Sequence, residues 1–282
     1  MSIPPLIGTA ALEACLGNAA LIVLDASWYL PDAGRDARAE FLDGHVPGAQ
    51  FFDLDLASHQ ATSLPHMLPT AAEFESLSRD LGVSTESEIV VYDGSGVNLS
   101  AARVWWMFRA FGHDRVSVLD GGLGAWRVEQ RPLDAGEPMK RTPGDFHAVL
   151  RSSYVRSLDE MEAIVAEGSV QVIDARPAGR FRGIDAEPRP GLRSGHMPGA
   201  LSIPYGELVD ATGRLLGAEP LRERLLAAGV DLTSPVVATC GSGTSACAIL
   251  LALEVLDAPA GALYDGSWTE WGGRDDLPVE PG

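Results

Sequence analysis

Val236-Val237-Ala238-Thr239-Cys240-Gly241-Ser242-Gly243-Thr244-Ser245-Ala246 is a strand running into a glycine loop and then a helix. Four strand-forming or small residues lead into Cys240, two glycines flank Ser242, and residues 246–253 turn apolar and helix-forming. This reading puts Cys240 at the last position of the strand. The first N–H groups of a helix have no internal partner and carry partial positive charge. A loop with a glycine on either side of its serine can curl so that its N–H groups form a nest for an anion. A thiolate held there is stabilised and becomes a usable nucleophile near neutral pH. The competing reading is a buried structural cysteine at a strand end.

The same landmarks occur twice along the chain. Leu21-Ile22-Val23-Leu24-Asp25-Ala26 is answered by Val170-Gln171-Val172-Ile173-Asp174-Ala175, and His45-Val46-Pro47-Gly48-Ala49 by His196-Met197-Pro198-Gly199-Ala200. Tyr92-Asp93-Gly94-Ser95-Gly96 matches Thr239-Cys240-Gly241-Ser242-Gly243, and Asp120-Gly121-Gly122 through Trp126 matches Asp265-Gly266-Ser267 through Trp271. All four pairs lie roughly 150 residues apart, the mark of a duplicated domain. Short buried strands alternate with helical segments (Thr9 to Leu16 and Leu158 to Ala166 among them), which predicts an α/β fold with a mainly parallel sheet flanked by helices in each half. Sites in such sheets form at the carboxyl ends of strands. Asp93 stands where the second half has Cys240, so only the second half keeps a nucleophile. The expected organisation is a non-catalytic domain over 1–138, a connector over 139–153 and a catalytic domain over 154–282. The connector lies within Gln130 to Ser153, rich in Pro, Gly and charge, and is expected to wrap from one domain to the other. The site is expected near the domain junction.

Composition narrows the function classes. A chain of 282 residues with 46% apolar residues can build two cores. A net charge of −18 argues against nucleic acid and against an anionic membrane surface, and no apolar run approaches the ~20 residues of a membrane span. An anionic substrate then needs local positive charge, which draws attention to single arginines. Three cysteines (Cys15, Cys240 and Cys247) fit a reducing compartment and no disulfide framework. The N-terminus has neither a basic n-region nor a long apolar stretch, so no secretory signal is expected and the cytoplasm is the expected location. No Cys-x2-Cys or His-x3-His spacing supports a metal site.

Longer motifs carry a resemblance. Leu24-Asp25-Ala26-Ser27-Trp28-Tyr29-Leu30-Pro31, Phe51-Phe52-Asp53-Leu54-Asp55, His66-Met67-Leu68-Pro69 and Arg103-Val104-Trp105-Trp106-Met107-Phe108 stand in the first half. Gly179-Arg180-Phe181-Arg182-Gly183, Glu187-Pro188-Arg189, Gly195-His196-Met197-Pro198-Gly199, the Cys240 loop and Asp265-Gly266-Ser267-Trp268 stand in the second. With these the chain resembles the tandem-domain rhodanese superfamily over nearly its whole length, and within it the 3-mercaptopyruvate sulfurtransferases. Thiosulfate-preferring members carry basic residues directly after the cysteine, whereas the mercaptopyruvate type reads Cys-Gly-Ser-Gly-Val-Thr. Here the uncharged start matches the latter, and Thr244 and Ser245 depart from it. Phosphatase relatives place an arginine six residues after the cysteine, where this chain has Ala246.

The resemblance implies an enzyme that moves the sulfur of 3-mercaptopyruvate to a thiol or cyanide acceptor through a Cys240 persulfide, with a small thiol or a thioredoxin-like protein as acceptor. It implies no cofactor. Arg180 and Arg189 match the arginines that hold the substrate carboxylate, a task suited to paired guanidinium hydrogen bonds, with Gly241, Gly243, Thr244 and Ser245 as further loop contacts. Asp55, His66 and Ser242 match a proton relay. From residue types alone, Ser242 serves equally as a hydrogen-bond donor to the thiolate and His66 as a packed histidine. His45, His196, Asp25, Asp174 and Cys247 read as structural, and Trp105 to Phe108 as core. Rival activities are thiosulfate:cyanide sulfur transfer by the same nucleophile, or a persulfide carrier loaded by a protein partner.

Overall fold

A computed structural model of the chain describes residues 3–281. They divide into two compact units. The first runs to His59 and adds Leu68–Leu150 and Asp210–Leu215; the second takes Gln60–Met67, Arg151–Val209 and the chain from Leu216 onward. The short segment carrying His66 therefore belongs to the second unit, although its sequence lies within the first repeat.

The first unit contains β1 (Leu6–Ile7), β2 (Leu21–Asp25), β3 (Gln50–Phe51), β4 (Glu88–Tyr92) and β5 (Val116–Leu119), ordered β1-β5-β4-β2-β3. The second contains β6 (Val155–Arg156), β7 (Gln171–Asp174), β8 (Leu201–Ser202), β9 (Val236–Thr239) and β10 (Ala262–Tyr264), ordered β6-β10-β9-β7-β8. All pairings within both sheets are parallel, and the two orders are the same, as a duplication requires. The central strands read as unbroken apolar runs because both of their faces are covered. Helix Leu99–Ala110 packs on β4 and β5, and helix Ala246–Val255 on β9, β10 and β7. Residues 246–253 are buried on every side, so this helix is held by its surroundings and has no solvent-facing stripe.

Small details repeat as well. Trp126 and Trp271, both fully buried, each donate an indole N–H to a proline carbonyl, that of Pro132 or Pro278. His45 stacks on Phe41 and His196 on Phe181, and each imidazole Nδ1 lies within 2.9 Å of that phenylalanine's own carbonyl. Between Gln130 and Arg151 the backbone forms no helix and no strand beyond one bridge at Asp134. Phe146 nevertheless anchors this stretch in the first unit, among Phe74, Phe108 and His113.

The strand-end aspartates show how the halves diverged. Asp174 is matched by the buried Arg176 guanidinium at 2.7 Å, whereas Asp25, 1% exposed, accepts only from the Ser27 amide and has no cation. Burial dominates and raises the Asp25 carboxyl to about 6 from the ordinary 3.8. A carboxyl raised in the folded state stabilises the fold most below its unfolded value. That contribution fades as the pH climbs from about 4 to about 6, by roughly 3 kcal/mol in all. Asp25→Asn, which keeps an acceptor oxygen for Ser27, is expected to flatten this part of the stability profile in urea unfolding between pH 4.5 and 7.5. An unchanged difference between wild type and variant across that range rules the account out.

Candidate active site

β9 ends at Thr239, one residue earlier than the sequence suggests, because Cys240 turns its amide to the Ser267 hydroxyl at 3.2 Å. Ser267 is itself fixed by the Tyr264 carbonyl at the end of β10. Trp268 N–H then donates to the Cys240 carbonyl, and Thr269 donates to the Gly241 carbonyl through both its amide and its hydroxyl. Carbonyl groups of the loop are thus used up on one side. The N–H groups of Gly241, Ser242, Thr244 and Ser245 find no acceptor among the described residues. Gly243, at φ +77°, lets the chain turn back into helix Ala246–Val255. Four such amides, next to a cysteine that is 1% exposed, make a setting in which a negative sulfur is favoured.

The duplicate contains an internal control. Asp93 follows β4 as Cys240 follows β9, and its carboxylate accepts from the Ser95 amide at 2.8 Å, the Ser95 hydroxyl at 2.6 Å and the Ala101 amide at 2.9 Å. The same loop in the first unit is occupied by a fixed anion belonging to the chain itself. Its donors are satisfied, and nothing nucleophilic remains.

Arg180 and Arg189 both stand at the Cys240 loop, and they differ in what balances them. Arg180 ion-pairs with Glu187, and its guanidinium lies so close over Gly241 that a Cβ there would sit 3.1 Å from Nη2. Glu187 is held in turn by Arg176, a fully buried cation that also binds Asp174 and the Gly195 carbonyl and lies over the Trp268 ring. Arg189 is half-buried and makes no hydrogen bond or ion pair among the described residues. Desolvation, followed by the neighbouring Arg180 charge, pushes its guanidinium below the usual arginine range, while Cys240 and Glu187 pull it back. An uncompensated guanidinium beside the sulfur is an anion site awaiting its anion. Arg182, by contrast, is exposed and bonds its own Ala178 carbonyl.

His66 is buried in the second unit, with Nδ1 3.0 Å from the Ser242 hydroxyl and 3.2 Å from the Thr244 hydroxyl. Its backbone adopts φ +60°, a conformation an imidazole-bearing residue takes only when its surroundings impose it. Asp55 lies in the first unit, where its carboxylate accepts the Trp28 indole N–H at 3.0 and 3.1 Å. Cys247 is fully buried in the helix after the loop, its thiol turned to the Gly243 carbonyl at 3.3 Å.

Comparison with known proteins now has a site to refer to. The rhodanese-like domain family matches this chain twice, over residues 12–129 and 157–274. The chain belongs to the rhodanese-like family. It is 44% identical over 262 residues to the 3-mercaptopyruvate sulfurtransferase of Rattus norvegicus, covering 93% of this chain and 88% of that protein. It is 41% identical over 262 residues to the thiosulfate sulfurtransferase of Gallus gallus, covering 93% and 89%. Among solved structures, SseA of Escherichia coli, described as a 3-mercaptopyruvate sulfotransferase, superposes with a TM-score of 0.86 at 37% identity, covering 94% of this chain and 99% of that one.

Within the second rhodanese-like domain, three supporting residues escaped the reading of the sequence. Glu187 stood there only as part of a motif, and Ser267 and Thr269 hold the cysteine loop from the opposite side. The signal for Ser267 was its place in Asp265-Gly266-Ser267-Trp268, where a serine follows a strand end as a turn requires. No pattern of residue types distinguishes a neutralised arginine from a bare one.

Proposed function

We propose that the chain is a 3-mercaptopyruvate sulfurtransferase, moving sulfur through a persulfide on Cys240 to a thiol or cyanide acceptor. One observation carries this reading: an unpaired, half-buried Arg189 beside a cysteine whose loop amides lack acceptors. A 2-oxo acid supplies the planar carboxylate that Arg189 lacks, and Arg180 closes the same end of the substrate. The Cys240 thiolate attacks the donor sulfur, the S–S bond forms, and the C–S bond breaks with its electron pair left on carbon as the enolate of pyruvate. The proton from the donor thiol ends on that carbon. Cys240 then carries the persulfide anion, and pyruvate leaves. An acceptor thiolate attacks the outer sulfur and restores the Cys240 thiolate, a two-step covalent scheme.

Ser242 and His66 are the proton carriers in this scheme, supported by their 3.0 Å contact and by the burial of both. The resemblance supports Asp55 as the third member. The three free cysteines fit a reducing compartment, which supports the cytoplasm as location and a small thiol or thioredoxin-like protein as acceptor. No helix among the described residues is long and apolar enough to cross a membrane.

The test is kcat/KM for 3-mercaptopyruvate and for thiosulfate on one preparation, with pyruvate release followed in the wild type, His66→Ala and Asp55→Asn. Mercaptopyruvate is expected to win, with pyruvate release slowed about 100-fold in the histidine variant. A preference for thiosulfate overturns the choice of donor. Full turnover by both variants removes the relay.

A further inference from the structure

We propose that Thr244 is a positioning residue for His66, holding the imidazole by Nδ1 while Ser242 hands its proton to the sulfur. This rests on the sulfur-transfer reading above. An imidazole Nδ1 offers a single in-plane position, either a lone pair or one N–H. Two hydroxyls of the same loop reach it, Ser242 Oγ at 3.0 Å and Thr244 Oγ1 at 3.2 Å. When Nδ1 is bare, only one of them donates to it at a time; when it carries the proton, its single N–H is shared between them. Either way, the contact of Thr244 strengthens as that of Ser242 is given up.

The two side chains suit different halves of this exchange. Serine has an unbranched Cβ and turns freely between rotamers, whereas threonine is stiff at χ1. Ser242 is also two residues from Cys240, within the amide loop. Once its O–H points to the sulfur, His66 would face an empty position at Nδ1. All three residues are buried, at 5% (His66), 7% (Ser242) and 7% (Thr244) exposure, so bulk water does not freely fill it. A buried polar atom left without a partner is costly, and the ring would turn to find one. At φ +60° the His66 backbone is already held in a sparsely populated conformation, so loss of a side-chain anchor shifts the ring easily. Thr244 prevents this. The imidazole keeps one orientation and one tautomer through both proton transfers.

The test uses Thr244→Val, which keeps the shape and removes the hydroxyl, with Thr244→Ser as the conservative variant. Histidine 15N NMR of the full chain, with matched thermal unfolding, is expected to show a displaced His66 Nδ1 resonance in the valine variant and a near-native one in the serine variant. With 3-mercaptopyruvate, Thr244→Val is expected to lower kcat about 3- to 10-fold at unchanged KM, and Thr244→Ser to restore it. Ser242→Ala should keep measurable transfer because Thr244 still supplies a hydroxyl, and adding Thr244→Val should cost at least about ten-fold more. A double variant no slower than Ser242→Ala overturns the proposal. So does a raised KM at native kcat, which would place Thr244 on the donor. If the wild type turns over no mercaptopyruvate, the sulfur-transfer reading fails instead, and the Nδ1 resonance alone decides whether Thr244 holds the ring.

Discussion

Cys240→Ser is expected to abolish sulfur transfer, with kcat for mercaptopyruvate falling by about 10⁴-fold or more, because a serine hydroxyl at neutral pH is a far weaker nucleophile toward sulfur than a thiolate. Brief exposure of the wild type to 3-mercaptopyruvate should add about 32 Da, one sulfur atom, on the peptide containing Cys240. The serine variant should add nothing. Cys15 and Cys247 act as controls in the same spectrum. Cys15 is exposed but has no amide loop around it, and Cys247 is fully buried with its thiol on the Gly243 carbonyl. Sulfur appearing on either of them in the serine variant, with turnover preserved, would sink the assignment of the nucleophile. The substitution changes one atom and leaves the Ser267 and Trp268 contacts to the Cys240 backbone in place, so the fold should survive it.

The first unit explains why this loop favours an anion at all. Asp93 occupies the equivalent position and takes up amide and hydroxyl donors like those open around Cys240. An acid there satisfies the loop permanently; a thiolate satisfies it while remaining able to attack. Duplication followed by loss of the sulfur in one copy therefore leaves one structural and one chemical version of the same turn.

Much of this was legible in the residues, and for local reasons. Apolar runs ending in Asp25 and Asp174, and glycines spaced around Ser95 and Ser242, are short-range signals that survive whatever packs around them. Hence the parallel order of both sheets and the place of Cys240 at a strand end followed from the chain alone, to within one residue. Long-range pairing was not readable in the same way. His66 meets Ser242 across 176 positions, and its segment, Gln60–Met67, joins the second unit against the order of the repeats. Charge balance was equally hidden. Arg180 and Arg189 look alike in sequence, yet Glu187 neutralises one and leaves the other bare, a difference set by which way two side chains point.

That difference yields the second large effect. Removing Arg189 is expected to lower kcat/KM for mercaptopyruvate by about 100- to 1000-fold, mostly through KM, since a charge-assisted bidentate pair in a desolvated site is worth roughly 3–4 kcal/mol. Arg180→Ala should cost less, because its guanidinium must share itself between the donor and Glu187, and part of what it offers is already spent. Arg189→Lys should recover only a fraction, as an ammonium keeps the charge but not the planar fork. Stability should move the other way. Arg189 is half-buried with no partner among the described residues, and both burial and the Arg180 charge work against its cation. Arg189→Ala is therefore expected to raise Tm slightly while damaging catalysis. A residue kept for the fold would lower Tm on removal and leave KM alone. Thermal unfolding and Michaelis curves on the same three variants separate these outcomes, and a lowered Tm with native KM would mean that the carboxylate is held elsewhere.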